Sequence, residues 1–243
     1  MAVQLAARQC QEHVTMTAAQ PESPVTEGVR SLEVRWIFPG QLDAAVAGWL
    51  GRFPARMESR EDTYLLDPPL RGLSVKVRGD VALEVKVYRG SPGILEVDGR
   101  ARGRMESWQK WSFPGGPSSQ ASGGPGGWRP VSKRRRISRF SLASGPIAAR
   151  TPGLGREPGC EVELTEIGIR GEDWWTLGFE ATGPASLLRG ELEAAAALVF
   201  AQALPGVVQP GTDDSRSYAE WLGQRLPRSG TPGDRPARPR SAP

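Results

Sequence analysis

Residues 160–165 read CEVELT. Successive side chains of a strand alternate faces, so Glu161, Glu163 and Thr165 point one way and Val162 and Leu164 the other. Like charges side by side on one face repel, and something of opposite charge has to stand near them. The same alternation recurs along the chain. Residues 30–38, RSLEVRWIF, set Ser31, Glu33 and Arg35 against Leu32, Val34 and Trp36. Residues 72–79, GLSVKVRG, set Ser74, Lys76 and Arg78 against Leu73, Val75 and Val77. Residues 82–90, ALEVKVYRG, set Glu84, Lys86 and Tyr88 against Leu83, Val85 and Val87. Residues 174–182, WWTLGFEAT, set Trp174, Thr176 and Glu180 against Trp175, Leu177, Phe179 and Ala181.

A half-exposed antiparallel sheet with cross-strand ion pairs on its wet face accounts for any one of these strands. Their repetition, with Glu, Lys and Arg dense on the polar face, favours another arrangement. The aliphatic faces pack outward against helices and the charged faces meet inside a closed barrel. Such an interior must be wet and filled by something charged. Basic side chains suit phosphate oxygens, and carboxylates suit a hard divalent cation that itself bridges phosphates. Arg and Lys from other strands, with Mg2+ or Mn2+, are then expected opposite Glu161 and Glu163.

The remaining elements fit this plan. Residues 40–53 read as a helix with Leu42, Val46, Trp49 and Leu50 on one stripe. Strands are expected at 60–67, 100–114, 128–142 and 159–169, with a hairpin across Gly79-Asp80 and a turn at 170–173. Residues 186–204 are an Ala/Leu/Glu-rich helix. About eight strands with turns between them suggest an antiparallel barrel or sandwich decorated by helices. The expected class is α+β, an antiparallel eight-stranded β-barrel with a charged interior and flanking helices. Residues 1–27 read as a disordered leader, 28–209 as the barrel domain, and 210–243 as a C-terminal extension with a basic, Pro-rich disordered tail. Within that extension, 213–226 suggests a short helix without an assigned role.

Several function classes are excluded. The lone histidine, His13, and one of the two cysteines, Cys10, lie in the leader. A core without histidine holds no Ser-His-Asp triad, Cys-His pair or His-ligated metal, and Cys160 reads as a small buried thiol. Chemistry here falls to carboxylates, Lys, Arg and Tyr. The chain of 243 residues has a net charge of +4, all of it accounted for by Arg225, Arg228, Arg235, Arg238 and Arg240 against Asp234. Global charge therefore says little about a polyanion partner. No stretch has the roughly 18 apolar residues of a membrane span, and no export signal is read. A cytoplasmic protein without membrane association is expected.

The order of the charged strands resembles the CYTH, or triphosphate tunnel metalloenzyme, superfamily. Its hallmark is a first strand E-x-E-x-K, then basic strands, then acidic strands near the C-terminus. SLEVR takes the hallmark position, SVKVR and EVKVY the basic hairpin, SKRRR the later basic strand, and EVE with GFEATG the acidic strands. The resemblance spans about Arg30 to Leu204. It implies metal-dependent hydrolysis of inorganic triphosphate, thiamine triphosphate or RNA 5′-triphosphate ends, or cyclisation of ATP. On that basis Arg35, Lys76, Arg78, Lys86, Lys133 and Arg135 would hold phosphate oxygens. Glu33, Glu161, Glu163 and Glu180 would hold Mg2+ or Mn2+, with Glu33 and Glu163 as the catalytic carboxylates. Ser31 stands where the family has its first glutamate, Arg35 replaces the lysine, and Glu84 adds an acid to a basic strand. These departures leave open a module that binds a phosphorylated small molecule or polyphosphate without turnover. A third reading, a single-strand nucleic-acid binder using Trp108, Trp111 and Lys133 to Arg136, is disfavoured because Trp is mostly buried. The tunnel arrangement further predicts Trp36 and Trp175 outward and Trp174 in the tunnel or its mouth. It also predicts that Glu163→Gln relieves repulsion and leaves the unliganded fold as stable or more so.

Overall fold

Alternating strands become a barrel only through register, and the pairings supply it. The computed structural model describes residues 28–66, 72–79, 81–114, 127–142, 147–150, 157–206 and 209–225. The leader with Cys10 and His13, most of the Gly/Pro/Ser segment 115–127 and the basic tail lie outside them. The strands are β1 (Val29–Pro39), β2 (Arg56–Leu65), β3 (Leu73–Arg78), β4 (Ala82–Val97), β5 (Ala101–Pro114), β6 (Trp128–Ser141), β7 (Ala148–Arg150), β8 (Gly159–Ile169) and β9 (Glu172–Thr182). The helices are α1 (Ala44–Gly51), α2 (Leu188–Val199) and α3 (Tyr218–Arg225). The sheet runs β2-β3-β4-β5-β1-β9-β8-β6, and β2 pairs back onto β6. That pairing, from Arg56 opposite Ile137 to Leu65 opposite Trp128, closes an eight-stranded antiparallel barrel. The short β7 pairs with the end of β6.

Three element boundaries differ from expectation. Strand β2 starts at Arg56, ahead of position 60; its outer face there mixes Met57 with Ser59 and Glu61, too little apolar contrast to mark the start in the sequence. Strand β4 continues to Val97 through register shifts at Tyr88, Gly90 and Gly93. Gly90 and Gly93 have φ of 124° and 122°, a region open to glycine, so the bulges carry the ladder past an apparent turn. Strand β7 is too short to leave a periodic signal.

The aliphatic faces point outward. Leu32, Val34, Trp36 and Phe38 of β1 pack with Val162 and Leu164 of β8 and with Trp175, Leu177 and Phe179 of β9. Helices α1 and α2 cover them with Val46, Trp49, Leu50, Leu188, Leu192, Ala195, Ala196 and Val199. The last five recur every three to four residues, so α2 turns one face to the sheet. Each fully buried Leu or Phe contributes roughly 1.5–3 kcal/mol. Asp43 caps α1 by accepting a 2.6 Å hydrogen bond from Ala45 N. At Gly103 a Cβ would lie 2.5 Å from Val34 and 2.6 Å from Trp36, so glycine lets β5 approach this core. Trp36 and Trp175 thus lie outside the barrel lumen, as the alternation predicts.

Helix α3 belongs to the barrel. Pairing of β1 with β5 covers Val29 to Glu33. Beyond it the segment before α3 runs along β1: Ile37 N donates to Asp214 O (3.1 Å) and Arg216 N to Arg35 O (3.1 Å). On the other side Arg104 N donates to Ser215 Oγ (2.9 Å) and Arg102 N to Pro210 O (2.8 Å). Among the described residues no helix is long and apolar enough to cross a membrane.

Candidate functional site

Register assigns every inward position. Glu33 opposes Glu180, Arg35 opposes Gly178, and Glu161 and Glu163 of β8 oppose Glu180 and Gly178. On the far side Arg135 opposes Thr165 and Glu58, and Asp62 opposes Arg78. Lys76 opposes Glu84, and Lys86 opposes Lys110. All ten residues singled out from the sequence therefore face one lumen: Glu33, Arg35, Lys76, Arg78, Lys86, Lys133, Arg135, Glu161, Glu163 and Glu180. The lumen is polarised. Strands β1, β9 and β8 contribute Glu33, Glu180, Glu161 and Glu163 against Arg35 alone. Strands β6, β2, β3 and β4 contribute Arg135, Arg139, Lys133, Arg60, Lys76, Arg78 and Lys86 against Glu58, Asp62 and Glu84.

Glu163 is the most tightly held carboxylate. Arg35 Nη2 reaches its Oε1 at 2.5 Å, while Arg135 holds Oε2 through Nε at 3.0 Å and through Nη2. Arg35 gets there by crossing β9 over Gly178, where a Cβ would lie 2.7 Å from the guanidinium. Against the opposing effect of burial, Arg135 and Arg35 keep the Glu163 carboxyl well below the usual carboxylate range. The same pairs raise both guanidinium pKa values against burial.

The other carboxylates are held less evenly. Lys86 Nζ sits between Glu33 Oε1 (2.7 Å) and Glu180 Oε1 (3.3 Å). Although burial opposes it, Lys86 with Lys110 brings Glu180 down to about 2. Glu33 also accepts from Ser31 Oγ at 2.5 Å, so the serine at the first hallmark position is spent on its neighbour. Glu161 has Arg139 at 3.5 Å, and its carboxyl is pushed up by burial first and by Glu180 second. Asp62 draws three cations, Lys133 at 2.9 Å, Arg60 at 2.9 Å and Lys76 at 3.3 Å. Glu84 takes Arg78 at 3.0 Å and Lys76 at 3.1 Å, which bring it to about 2 against burial. Burial lowers the Lys76 and Lys133 ammonium pKa values, and the carboxylates beside them offset part of that.

Strand β2 supplies Glu58, Arg60, Asp62 and Tyr64, and β5 supplies Glu106, Trp108 and Lys110; of these only Trp108 was singled out from sequence, and then for a nucleic-acid surface. Both strands carry polar residues on both faces, so alternation gave no signal. Nor was Tyr218 of α3 foreseen. Its ring lies 4.4 Å from the Arg35 guanidinium and 4.2 Å from Lys133 Nζ, and its hydroxyl is 3.3 Å from Thr176. Trp108 is buried inside the lumen and Trp111 lies on the opposite face of β5. Lys133 and Arg135 point in while Arg134 pairs outside with Glu166. Trp108, Trp111 and Lys133 to Arg136 therefore share no single surface for a nucleic-acid strand.

A cavity of about 60 Å3 lies in the lumen, against Lys76, Lys86, Glu33, Glu106 and residues 216–219 leading into α3. It has room for a few waters, so a longer ligand must displace existing ion pairs. Glu33, Glu180 and Glu161 sit side by side on β1, β9 and β8 and offer the hard oxygens that a divalent cation takes. Among the described residues no three acidic groups are already gathered around one point. The Lys86 ammonium occupies a cation position between Glu33 and Glu180. Glu163, closed by two arginines, does not fit that donor set.

No family model matches the chain, and no curated protein matches it by sequence. Among solved structures it is similar to the S. pombe Pct1 RNA triphosphatase in complex with the Spt5 CTD. That likeness has a TM-score of 0.39 and 10% identity, over 72% of this chain and 80% of the other. It is also similar to the PH1012 protein from Pyrococcus horikoshii OT3, with a TM-score of 0.39 and 14% identity, over 77% of this chain and 98% of the other. The described strands close into an eight-stranded antiparallel barrel with its charges turned inward.

Proposed function

We propose that the lumen binds a triphosphate or another phosphorylated compound together with Mg2+ or Mn2+, and hydrolyses it. The observation that carries this reading is the polarised interior: a cation-rich side faces a carboxylate-rich side across one narrow space. Each ion pair there can exchange its partner for part of the ligand. Phosphate oxygens take over Arg35 and Arg135, whose planar forks match them bidentately, and draw Lys76, Lys133, Arg78 and Lys86 from their carboxylates. Glu33, Glu180 and Glu161 are the residues that would hold the cation, which would neutralise phosphate charge and polarise the bond to be broken. Glu163, once released by its arginines, would orient water beside the phosphate.

The test is phosphate release from tripolyphosphate and nucleoside triphosphates with Mg2+ or Mn2+, and again with a chelator. Chelator-sensitive turnover is expected, and no turnover across that panel refutes the hydrolase. Ser31, engaged with Glu33, favours a second reading: binding without turnover. In that case tripolyphosphate with Mn2+ raises the melting temperature while releasing no phosphate. No stabilisation by any phosphate compound overturns both.

A further inference from the structure

Two carboxylates face each other across the seam between β1 and β9. Glu33 opposes Glu180 in register, and Glu161 follows on β8. Like charges so close in a narrow lumen need a cation between them. Here the chain supplies that cation itself. Lys86 comes from β4, two strands away from β1 in the sheet, and its Nζ lies 2.7 Å from Glu33 Oε1 and 3.3 Å from Glu180 Oε1. The side chains of Lys86, Glu33 and Glu180 are 19%, 15% and 20% exposed, so water screens this arrangement poorly.

Lys86 has nowhere favourable to go. Among the described residues it makes ion pairs with these two carboxylates and no other. Its partner in register is Lys110, whose Nζ lies 3.9 Å from the same Glu180 oxygen. The nearby carboxylates Asp62 and Glu84 are already taken by Lys76, with Lys133 and Arg60 also on Asp62 and Arg78 on Glu84. Seating a divalent cation between Glu33 and Glu180 therefore requires Lys86 to leave its only carboxylates and move among other cations. A phosphate in the lumen changes that balance, because its oxygens give the displaced ammonium a partner.

We infer that Lys86 is a positioning residue, a resident counter-cation of the Glu33–Glu180 pair that makes binding of a divalent cation conditional on binding of phosphate. Phosphate draws Lys86 away and bares the two carboxylates. With a divalent cation on those carboxylates, Lys86 is in turn free for phosphate. The coupling is reciprocal, as linkage requires. This inference rests on the proposed phosphate reading and adds that the lumen takes up anion and cation together.

The experiment measures Mn2+ uptake by the full chain from the electron paramagnetic resonance signal of the free ion, with and without inorganic phosphate. Inorganic phosphate chelates Mn2+ only weakly, and a protein-free titration corrects for that. The natural chain is expected to bind Mn2+ at least about 10-fold more tightly when phosphate is present, within the usual size of a coupling between two sites. Uptake that is equal in the two conditions, or absent from both, overturns the role of Lys86. The phosphate reading fails separately, if tripolyphosphate with Mn2+ does not raise the melting temperature. In Lys86→Gln, Mn2+ alone should bind at least about 10-fold more tightly than to the natural chain, and phosphate should add little. Lys110→Gln removes the same charge beside Glu180 but leaves Lys86 between the carboxylates, so its gain should be smaller; an equal gain counts against Lys86 as the resident cation. If Lys86→Gln does not fold, the comparison on the natural chain decides the claim.

Discussion

Strand β8 carries two kinds of interior on one face. Glu161 and Glu163 meet arginines at one end, while Ile167 and Ile169 meet Trp174, Val131 and α3 at the other end. The alternation is the same throughout, yet the charged end is held by ion pairs within the wall and the apolar end by a helix some 50 residues later in the chain. Inward-facing therefore does not mean wet. Charged residues inside a barrel can satisfy one another across the lumen, but apolar ones need a lid to exclude water.

Trp221→Ala should break the apolar end with the largest effect, a loss of about 3–5 kcal/mol in urea denaturation, as for other buried Trp truncations. Loss of less than about 1 kcal/mol would mean that α3 does not hold this end together. At the charged end Glu163→Gln should cost about 3 kcal/mol, because it strands two buried arginines. This reverses the expectation from CEVELT alone that removing the charge relieves repulsion. The repulsion from Glu161 is outweighed by Arg35 and Arg135. An unchanged melting temperature for Glu163→Gln would restore the earlier view. Gly178→Ala should cost about 1–3 kcal/mol by pushing Arg35 off its path to Glu163.

Acid should act on the charged end first. Glu84 and Glu180 have carboxyls lowered in the fold from 4.5 to about 2. They contribute stability that is full above pH 4.5 and lost as pH falls from 4.5 toward 2. Glu161 has a raised carboxyl and works in the opposite sense: its protonation restores stability as pH falls through its folded value. A melting series from pH 7 downward should therefore hold to about 4.5 and then decline. A decline already complete at pH 5 would contradict the buried pairs. The smallest effect is Glu161→Gln, a gain of under about 1 kcal/mol, since the side chain is partly exposed and only loosely paired with Arg139. Together with Glu163→Gln it gives opposite signs two residues apart on one strand.

The legible part of the site was the part with contrast. Glu33, Lys76, Lys86, Glu163 and Glu180 each alternate with Val, Leu or Phe, and their direction could be read from sequence. Arg56, Glu58, Arg60 and Asp62 alternate with Met57, Ser59 and Glu61, and theirs could not. The β4 extension was hidden because Gly90 and Gly93 look like the end of a hairpin when they are bulges within one. The sequence 213–226 looked like a separate terminal helix because the gap it fills, between β1 and β5, exists only after the barrel forms.

The sequence by itself determined which way most strands turn their charges, and with that an antiparallel barrel with aliphatic faces under α1 and α2. Alternation is a local property, fixed by the pleat of each strand. Tertiary structure alone decided which charges meet. Register around the closed wall brings Arg35 across Gly178 to Glu163 and sets Lys86 between Glu33 and Glu180. It also decided that α3 packs against the apolar end of the lumen. Partner choice depends on pairings between distant segments, and a buried carboxylate takes its pKa from whichever cation those pairings bring within a few ångströms, a distance that no single strand encodes.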